Sequence, residues 1–392
     1  MHVMIIPTMG CPANCSYCWS SEQTSQIMTK DTVDDIINWL KNFKSEPTTF
    51  TFHGGEPLLA GYEFYEYALG AIADELSDLY PAYAIQTNLW LMDEKIAKLF
   101  KKYDIPVGSS LDGPRRFNDI QRGVDYYDKT MHGYEIAKEN GLNVSFISTF
   151  TNFSIKHKEE IFNFFKDNHL NMKIHPALSS IKSHKSDNFA LDPEDYGELM
   201  LYLLDEYLDI ADTVELKNID HLCKGVLRKK GCVCTYVDCM DSTFAIGPDG
   251  SIYPCYRFVD MPDFKIGHIS DAPSYEELMD SKAEKLLKQY KEFVDEKCHD
   301  CKHIDYCRGG CPYNALVMDE KHQVSCVDPH CTAYKMIFDK IDELMNQKLN
   351  FAFDELNDVI EKDFNFTLNV GFENKPKEDT KKFTVMDIAL KD

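Results

Sequence analysis

From residue 1 to about residue 180 the chain alternates between two hydrophobic periods. Short β-branched or aromatic runs read as strands: HVMIIPT (2–8), TTFTFHG (48–54), AYAIQTN (82–88), IPVGSSL (105–111), NVSFISTF (143–150) and NMKIHPAL (171–178). Between the first two, Val33, Ile36, Ile37, Leu40 and Phe43 recur at helical spacing behind Thr29, a residue type suited to an N-cap. Helical patterns also cover 61–79, 93–102, 128–140 and 157–168, and Gly141 stands where a C-terminal cap belongs. Six strand–helix repeats predict an α/β fold with a parallel sheet and right-handed crossovers. Six repeats are two short of a closed barrel, so the expected form is an open, partial (β/α)6 TIM-like barrel.

Polar segments follow most of these strands. After the first comes CPANCSYCW, after the second HGGEP (53–57), after the third QTN (86–88), and the fourth runs into SLDGP (110–114). The sixth carries His175 and Pro176. In parallel barrels the C-terminal rim is where chemistry is built, so these segments converge on one mouth.

Beyond the sixth strand the pattern changes. Residues 186–230 read as a helical connection, and 231–335 are rich in Cys, Gly and Pro with little periodicity, the profile of a small fold held by metal. A helix from about 332 to 348 and an acidic tail follow, with a possible strand at 364–372. The expected domains are 1–185 (partial barrel), 186–230 (connection), 231–335 (cysteine-rich domain) and 336–392 (helix and tail).

Composition narrows the function classes. At 392 residues and 44% hydrophobic, the chain can bury a substantial core. A net charge of −23 and the lack of a basic stripe argue against a nucleic-acid partner. No run is long enough to span a membrane, and the N-terminal apolar run has neither a basic flank nor a cleavage site. A cytoplasmic location is expected, a compartment in which fourteen cysteines are not structural disulfides. Three cysteines precede residue 20 and eleven lie between 223 and 331, which suggests two metal-bearing regions.

Cys11, Cys15 and Cys18 have the spacing C-x3-C-x2-C. Three thiolates on one loop can hold three irons of a four-iron cluster and leave the fourth iron open, whereas an electron-transfer cluster takes four cysteines. A zinc knuckle borrowing a distant ligand is the alternative, and it fits a catalytic rim poorly. The triad, followed in order by HGGEP and SLDGP, resembles the radical S-adenosylmethionine (SAM) superfamily over roughly the first 180 residues. The resemblance implies that the methionyl amino and carboxylate groups of SAM chelate the open iron, and that one electron then releases a 5′-deoxyadenosyl radical. It further implies SAM contacts from Tyr17, Gly54, Gly55, Glu56, Asn88, Ser110 and Arg122. In that reading the two glycines let the backbone approach the ligand, and Glu56 accepts hydrogen bonds from the SAM ammonium. Asn118 stands where relatives carry a histidine.

The second region has Cys298, Cys301, Cys307 and Cys311 in the spacing C-x2-C-x5-C-x3-C, with Cys239 and Gly250-x4-Cys255 upstream and CTAYKMIF from Cys331 downstream. A zinc ribbon is the alternative for such thiolate sets. The arrangement resembles the SPASM extension of peptide-modifying radical SAM enzymes, which holds two auxiliary four-iron clusters. Carried over, the first takes Cys234, Cys239, Cys255 and Cys311, and the second Cys298, Cys301, Cys307 and Cys331. Cys232 could replace Cys234, and Cys326 could replace Cys331. Cys223 reads as a buried thiol. The cofactors implied are three 4Fe-4S clusters and SAM.

Two substrate classes share this architecture. Sulfatase maturases oxidise a Cys or Ser side chain to formylglycine and carry an aspartate base directly after the cysteine of G-x4-C. That position is Tyr256 here, and a phenol with a pKa near ~10 is a poor base at neutral pH. The stretch resembles instead the thioether-forming maturases of short ribosomal peptides, although ten residues before Cys11 leave no room for an N-terminal leader-binding domain. The expected partners are a short ribosomal precursor peptide, or alternatively a sulfatase peptide, and an external electron donor such as flavodoxin or ferredoxin. A non-catalytic iron–sulfur carrier is the alternative from another class, and HGGEP and SLDGP tell against it.

Overall fold

The computed structural model describes residues 1–18, 26–182, 184–239, 242–364 and 383–390. Six strands form the frame: β1 (His2–Thr8), β2 (Thr49–Gly54), β3 (Ala82–Gln86), β4 (Val107–Ser110), β5 (Val144–Phe150) and β6 (Met172–Pro176). Each pairs in parallel with the next, Val3 facing Phe50 and Ile5 facing Phe52 in the first pair. The crossovers contain α1 (Lys30–Leu40), α2 (Tyr62–Glu75), α3 (Glu94–Lys102), α4 (Arg115–Gln121), α5 (Tyr126–Glu139) and α6 (Lys158–Asp167). The Thr29 hydroxyl caps α1 by accepting from the Thr32 N–H, and Val33, Ile36, Ile37 and Leu40 form its buried face. The short α4 breaks the one-strand, one-helix pattern expected after β4.

The two-residue period of the strands sorts chemistry by side. On β2, Phe50 and Phe52 are buried in the apolar core, while Thr51 and His53 line the interior of the partial barrel. Ala84 and Gln86 on β3, Gly108 and Ser110 on β4, and Ser145 and Thr149 on β5 also line it. Closed barrels fill this space with branched apolar side chains. Small and polar residues leave it open here.

The sheet continues past β1. A strand of the cysteine-rich region, β7 (Thr243–Ile246), pairs in parallel with β1, from His2 opposite Thr243 to Ile5 opposite Ile246. Two antiparallel strands, β8 (Ser251–Tyr253) and β9 (Gly267–His268), complete a nine-stranded sheet ordered β6-β5-β4-β3-β2-β1-β7-β8-β9. Phe244, Phe258, Leu278 and Leu287 join the same apolar cluster as Val3, Ile5 and Trp39. The Trp39 indole N–H donates to the Pro273 carbonyl at 2.9 Å. This region therefore draws on the barrel's core, where the sequence suggested a fold held by metal.

The connection forms α7 (Pro193–Tyr207) and α8 (Lys217–Arg228). Asn218 fastens α8 to the edge strand β6: its side-chain oxygen accepts from the Ile174 N–H, and its amide donates to the Ile174 carbonyl at 3.0 Å. The cysteine-rich region adds α9 (Tyr275–Met279), α10 (Lys282–Lys297), α11 (Ile304–Cys307) and α12 (Pro312–Val317). The last two helices are α13 (Cys331–Phe364), longer than the expected 332–348, and α14 (Val385–Ala389). Apart from Phe364, the expected strand at 364–372 lies outside the described residues. Leu199 and Leu203 of α7 share a second apolar cluster with Ile337 and Ile341 of α13. Among the described residues, no helix is long and apolar enough to cross a membrane.

Ile341 is fully buried in that second cluster. Ile341→Ala should cost about 2–5 kcal/mol, read as a lower midpoint of anaerobic thermal unfolding. An unchanged midpoint would mean that α13 adds nothing to the barrel's outer packing.

Candidate active site

The loop after β1 carries Cys11, Cys15 and Cys18 and is fixed from two sides. The Ser16 N–H and hydroxyl both donate to the Gln121 carbonyl, at 2.8 and 3.0 Å, tying the loop to the end of α4. From the other side HGGEP lies against its backbone: Gly55 N–H donates to Thr8 O and Glu56 N–H to Gly10 O. A Cβ on Gly55 would sit 2.3 Å from the Met9 and Gly10 carbonyl oxygens, and one on Gly54, whose φ is +133°, would sit 2.3 Å from Thr8 O. The close approach that demands glycine here is therefore to the cysteine loop itself, beyond any approach to a ligand.

Glu56 also has a different neighbourhood from the one expected. It is fully buried, its Oε1 accepting from the Leu58 N–H and the Thr87 hydroxyl and its Oε2 from the Asn88 N–H, at 2.9, 2.6 and 2.7 Å. Three of about four lone-pair positions are filled. Burial outweighs these bonds and lifts the carboxyl to about 7. Glu56 holds the loops after β2 and β3 together, with one position left for a ligand donor.

A second buried carboxylate organises the opposite wall. Asp112, in SLDGP, accepts two bonds from the Arg122 guanidinium, both at 2.9 Å, and others from Tyr17 Oη, Gln121 Nε2 and the Thr149 N–H. Arg122 turns its remaining nitrogen, Nη1, toward Cys15 Sγ at 4.0 Å, and Asn88 Nδ2 lies 3.9 Å from Cys11 Sγ. Asn118 closes the SLDGP turn, accepting from the Asp112 N–H and donating to the Gly113 carbonyl. Asp112 was not among the residues singled out in the sequence, although its place inside SLDGP was the available signal.

These walls enclose a cavity of about 680 Å³ at the C-terminal rim. The three cysteines line it, as do Tyr17, Gly54, Gly55, Glu56, Asn88, Ser110 and Arg122. Ser110 accepts from Gln86 Nε2 at 3.3 Å. Burial pushes the free Cys11 thiol up to about 11 and Cys15 to about 12 even with Arg122 beside them, so a bound metal cation would be what favours their thiolates. Among the described residues no three His, Cys, Asp or Glu side chains are arranged around a single metal ion. A four-iron cluster is larger than a zinc ion with bonds of about 2.3 Å to sulfur. The donor set and the space beside it fit such a cluster with SAM.

The remaining thiols fall into two groups. Cys234, Cys255 and Cys311 all act electrostatically on Cys239. Cys301 and Cys331 act on both Cys298 and Cys307. Cys232 instead points its thiol at the Lys230 carbonyl, and Cys326 at the Ala315 carbonyl. Cys223 is fully buried in the apolar cluster around α8. Between the two groups sits Asp328, wholly buried and unremarked in the sequence. Its Oδ2 accepts from the Cys311 N–H, Asn314 Nδ2 and Tyr334 Oη, and its Oδ1 from the His330 N–H, all at 2.8–2.9 Å. Burial alone would raise its pKa, but the bonds and charge of His330 and the Cys311 N–H hold it below the usual range.

Tyr256 stands between the first loop and the second region. Its ring packs on His53 of HGGEP at 4.2 Å between centroids, and both residues line the cavity, as does Cys234. Burial raises the phenol well above its ordinary value, with Cys255, Cys18 and Cys234 adding to the shift. His53 drops to about 4 through burial and accepts the Gly54 N–H at Nδ1, so its ring is neutral.

With this geometry in place, known proteins supply a context. The model of the radical SAM superfamily matches residues 5–165, and that of SPASM, an iron-sulfur cluster-binding domain, matches residues 234–302. The chain is 57% identical over 230 residues to an uncharacterized protein of Methanothermobacter thermautotrophicus, spanning 59% of this chain and 88% of that one. It is 26% identical over 349 residues to a cysteine-type anaerobic sulfatase-maturating enzyme of Clostridium perfringens, with 84% and 93% covered. The solved structure of native anSMEcpe with bound AdoMet and Cp18Cys peptide superposes with a TM-score of 0.76 at 25% identity, over 88% of this chain and 99% of that one.

Asp328 yields a test of the second region. Asp328→Ala leaves several buried donors unpaired, a change expected to cost about 3–5 kcal/mol locally. After anaerobic reconstitution the wild type should hold about twelve irons, three clusters of four, and the variant about four. Full iron in the variant would show that both thiol groups assemble without this carboxylate.

Proposed function

Since the chain belongs to the radical SAM superfamily and carries a SPASM domain, we propose that it oxidatively modifies a ribosomally made peptide, by crosslink formation. Its cofactors are 4Fe-4S clusters and SAM. Held at the first loop, one cluster with SAM would supply a 5′-deoxyadenosyl radical able to take a hydrogen atom from an unactivated carbon.

The chain's own residues bind, orient and shield. In this reading Cys11, Cys15 and Cys18 hold the first cluster, and Asn88 and Arg122 direct N–H groups at two of its sulfurs. Gly54, Gly55, Glu56, Ser110 and Tyr17 shape the SAM end of the cavity. Cys234, Cys239, Cys255 and Cys311 hold one auxiliary cluster, and Cys298, Cys301, Cys307 and Cys331 the other. Cys234 lines the same cavity, so a cluster held by Cys234, Cys239, Cys255 and Cys311 would supply an electron acceptor beside it. A flavodoxin- or ferredoxin-like donor supplies the initiating electron from outside.

The observation that carries peptide crosslinking over formylglycine synthesis is Tyr256. Sulfatase maturases resembling this chain use an aspartate base at that position. Here the position holds a half-buried phenol packed at a tilt on the His53 imidazole, with its pKa raised and not lowered. The sulfatase-maturing reading keeps a claim through the C. perfringens relative and the peptide bound in its solved counterpart. A purely electron-carrying role has no use for a cavity of this size beside an open triad.

The two enzyme readings separate in one assay. Reduced, SAM-loaded enzyme is given a precursor peptide from its own organism or a sulfatase-derived Cys or Ser peptide. The precursor should lose two hydrogens, about 2 Da, with the radical step supplied by the cofactor and its aim by the protein. Cys255→Ala should abolish the product while some SAM cleavage persists. Formylglycine in the sulfatase peptide, with the precursor untouched, would reverse the assignment.

A further inference from the structure

The cavity has a second wall that the SAM end does not use. Lys173 and His175 line it from the edge strand β6, and Lys217 and His221, one turn apart, from the start of α8. Asn218 clamps these two elements together through both polar groups of Ile174, so the four side chains share one patch.

The charge of this patch is unusual for the molecule. The chain carries −23 overall, yet among the described residues Glu56 is the one carboxylate lining the cavity, and its oxygens already accept three bonds. Among the described residues neither Lys173 nor Lys217 has an ion-pair or hydrogen-bond partner, and His221 Nδ1 is buried without one. The charge of Lys217 disfavours that of Lys173 and Cys234 only partly offsets it, so a carboxylate placed between the two ammonium groups would relieve a repulsion that the protein's own groups leave. Burial, then Lys173, keep His175 near 3 and His221 near 4, while burial and Lys217 lower Lys173 itself and Cys234 works the other way.

We propose that this wall binds a carboxylate of the substrate, so that the peptide acted on is acidic beside the residue it loses hydrogen from. The proposal rests on the peptide-modifying reading above and names the substrate class of that same cavity. The carboxylate comes from an Asp or Glu side chain or from a peptide C-terminus, and the chemistry of recognition is the same for either. SAM's own carboxylate is a poor claimant: the thiol that acts on Lys173 is Cys234 of the second region, not one of the first loop. Lys173 also feels the charge of Cys234, so Lys217→Met serves as a separate probe of the wall.

The test uses the full-length, anaerobic, cluster-loaded enzyme with SAM bound. Three mixtures of N-acetylated hexapeptides are randomised over neutral residues. One has a fixed glutamate and an amidated C-terminus, one a fixed glutamine and a free C-terminal carboxylate, and one a fixed glutamine and an amide. Retention is read by equilibrium dialysis and mass spectrometry. One of the two carboxylate mixtures should be retained about tenfold or more over the neutral one, the scale of a hydrogen bond to a charged group, and the winner identifies the source. Lys173→Met with Lys217→Met should abolish the preference, and arginine at both positions should keep it. If the double variant holds less iron than wild type, Lys217→Met alone is read in its place. Equal retention of all three mixtures, or a preference that survives the methionine variant, overturns the proposal. Glutarate and glutaramide form a non-peptide arm. If no peptide is retained but glutarate binds and glutaramide does not, the peptide reading fails and the carboxylate site stands; if neither binds, both fall.

Discussion

A carboxylate taken out of water costs several kcal/mol unless its lone pairs are filled, and three such groups hold the loops that bear the thiols. Glu56 collects donors from the segments after β2 and β3, Asp112 binds Arg122 and the Tyr17 hydroxyl, and Asp328 takes the Cys311 N–H and the His330 N–H. Each fixes backbone or side chains next to a cysteine. A loop held this way cannot relax when its thiols are empty without exposing an unpaired buried charge.

The same sheet that anchors these loops makes the room they need. One face of β1–β6 supplies the apolar core, and the other supplies Thr51, Ala84, Gly108, Ser145 and their neighbours to an open interior. Pairing of β7 with β1 brings the second region onto the same frame, so that Tyr256 and Cys234 look into the cavity of the first loop. The three cysteines of the first loop and Cys234 of the second region thus line one cavity.

Much of this was legible in the chain because the signals are local. Strand and helix periods, cysteine spacing, HGGEP and SLDGP each lie within a few residues, and all ten residues proposed at the first cluster and SAM line the cavity. What escaped is nonlocal. The pairing of β7 joins residues more than two hundred positions apart through a four-residue strand, TFAI, with no period long enough to read. The reach of Glu56 to Thr87 and Asn88, and of Asp328 to both thiol groups, depends on loops meeting in space. Gly54 and Gly55 were visible as glycines, but their closest neighbours proved to be the carbonyls of Thr8, Met9 and Gly10.

In the proposed function the first triad leaves an iron open for SAM in the cavity beside it. The most direct measurement is the EPR spectrum of the reduced first cluster with and without SAM, taken on protein in which Asp328→Ala has removed the auxiliary signals. The spectrum should change on adding SAM, as one iron exchanges its outside ligand. A reduced cluster at Cys11, Cys15 and Cys18 whose spectrum is indifferent to saturating SAM would contradict it.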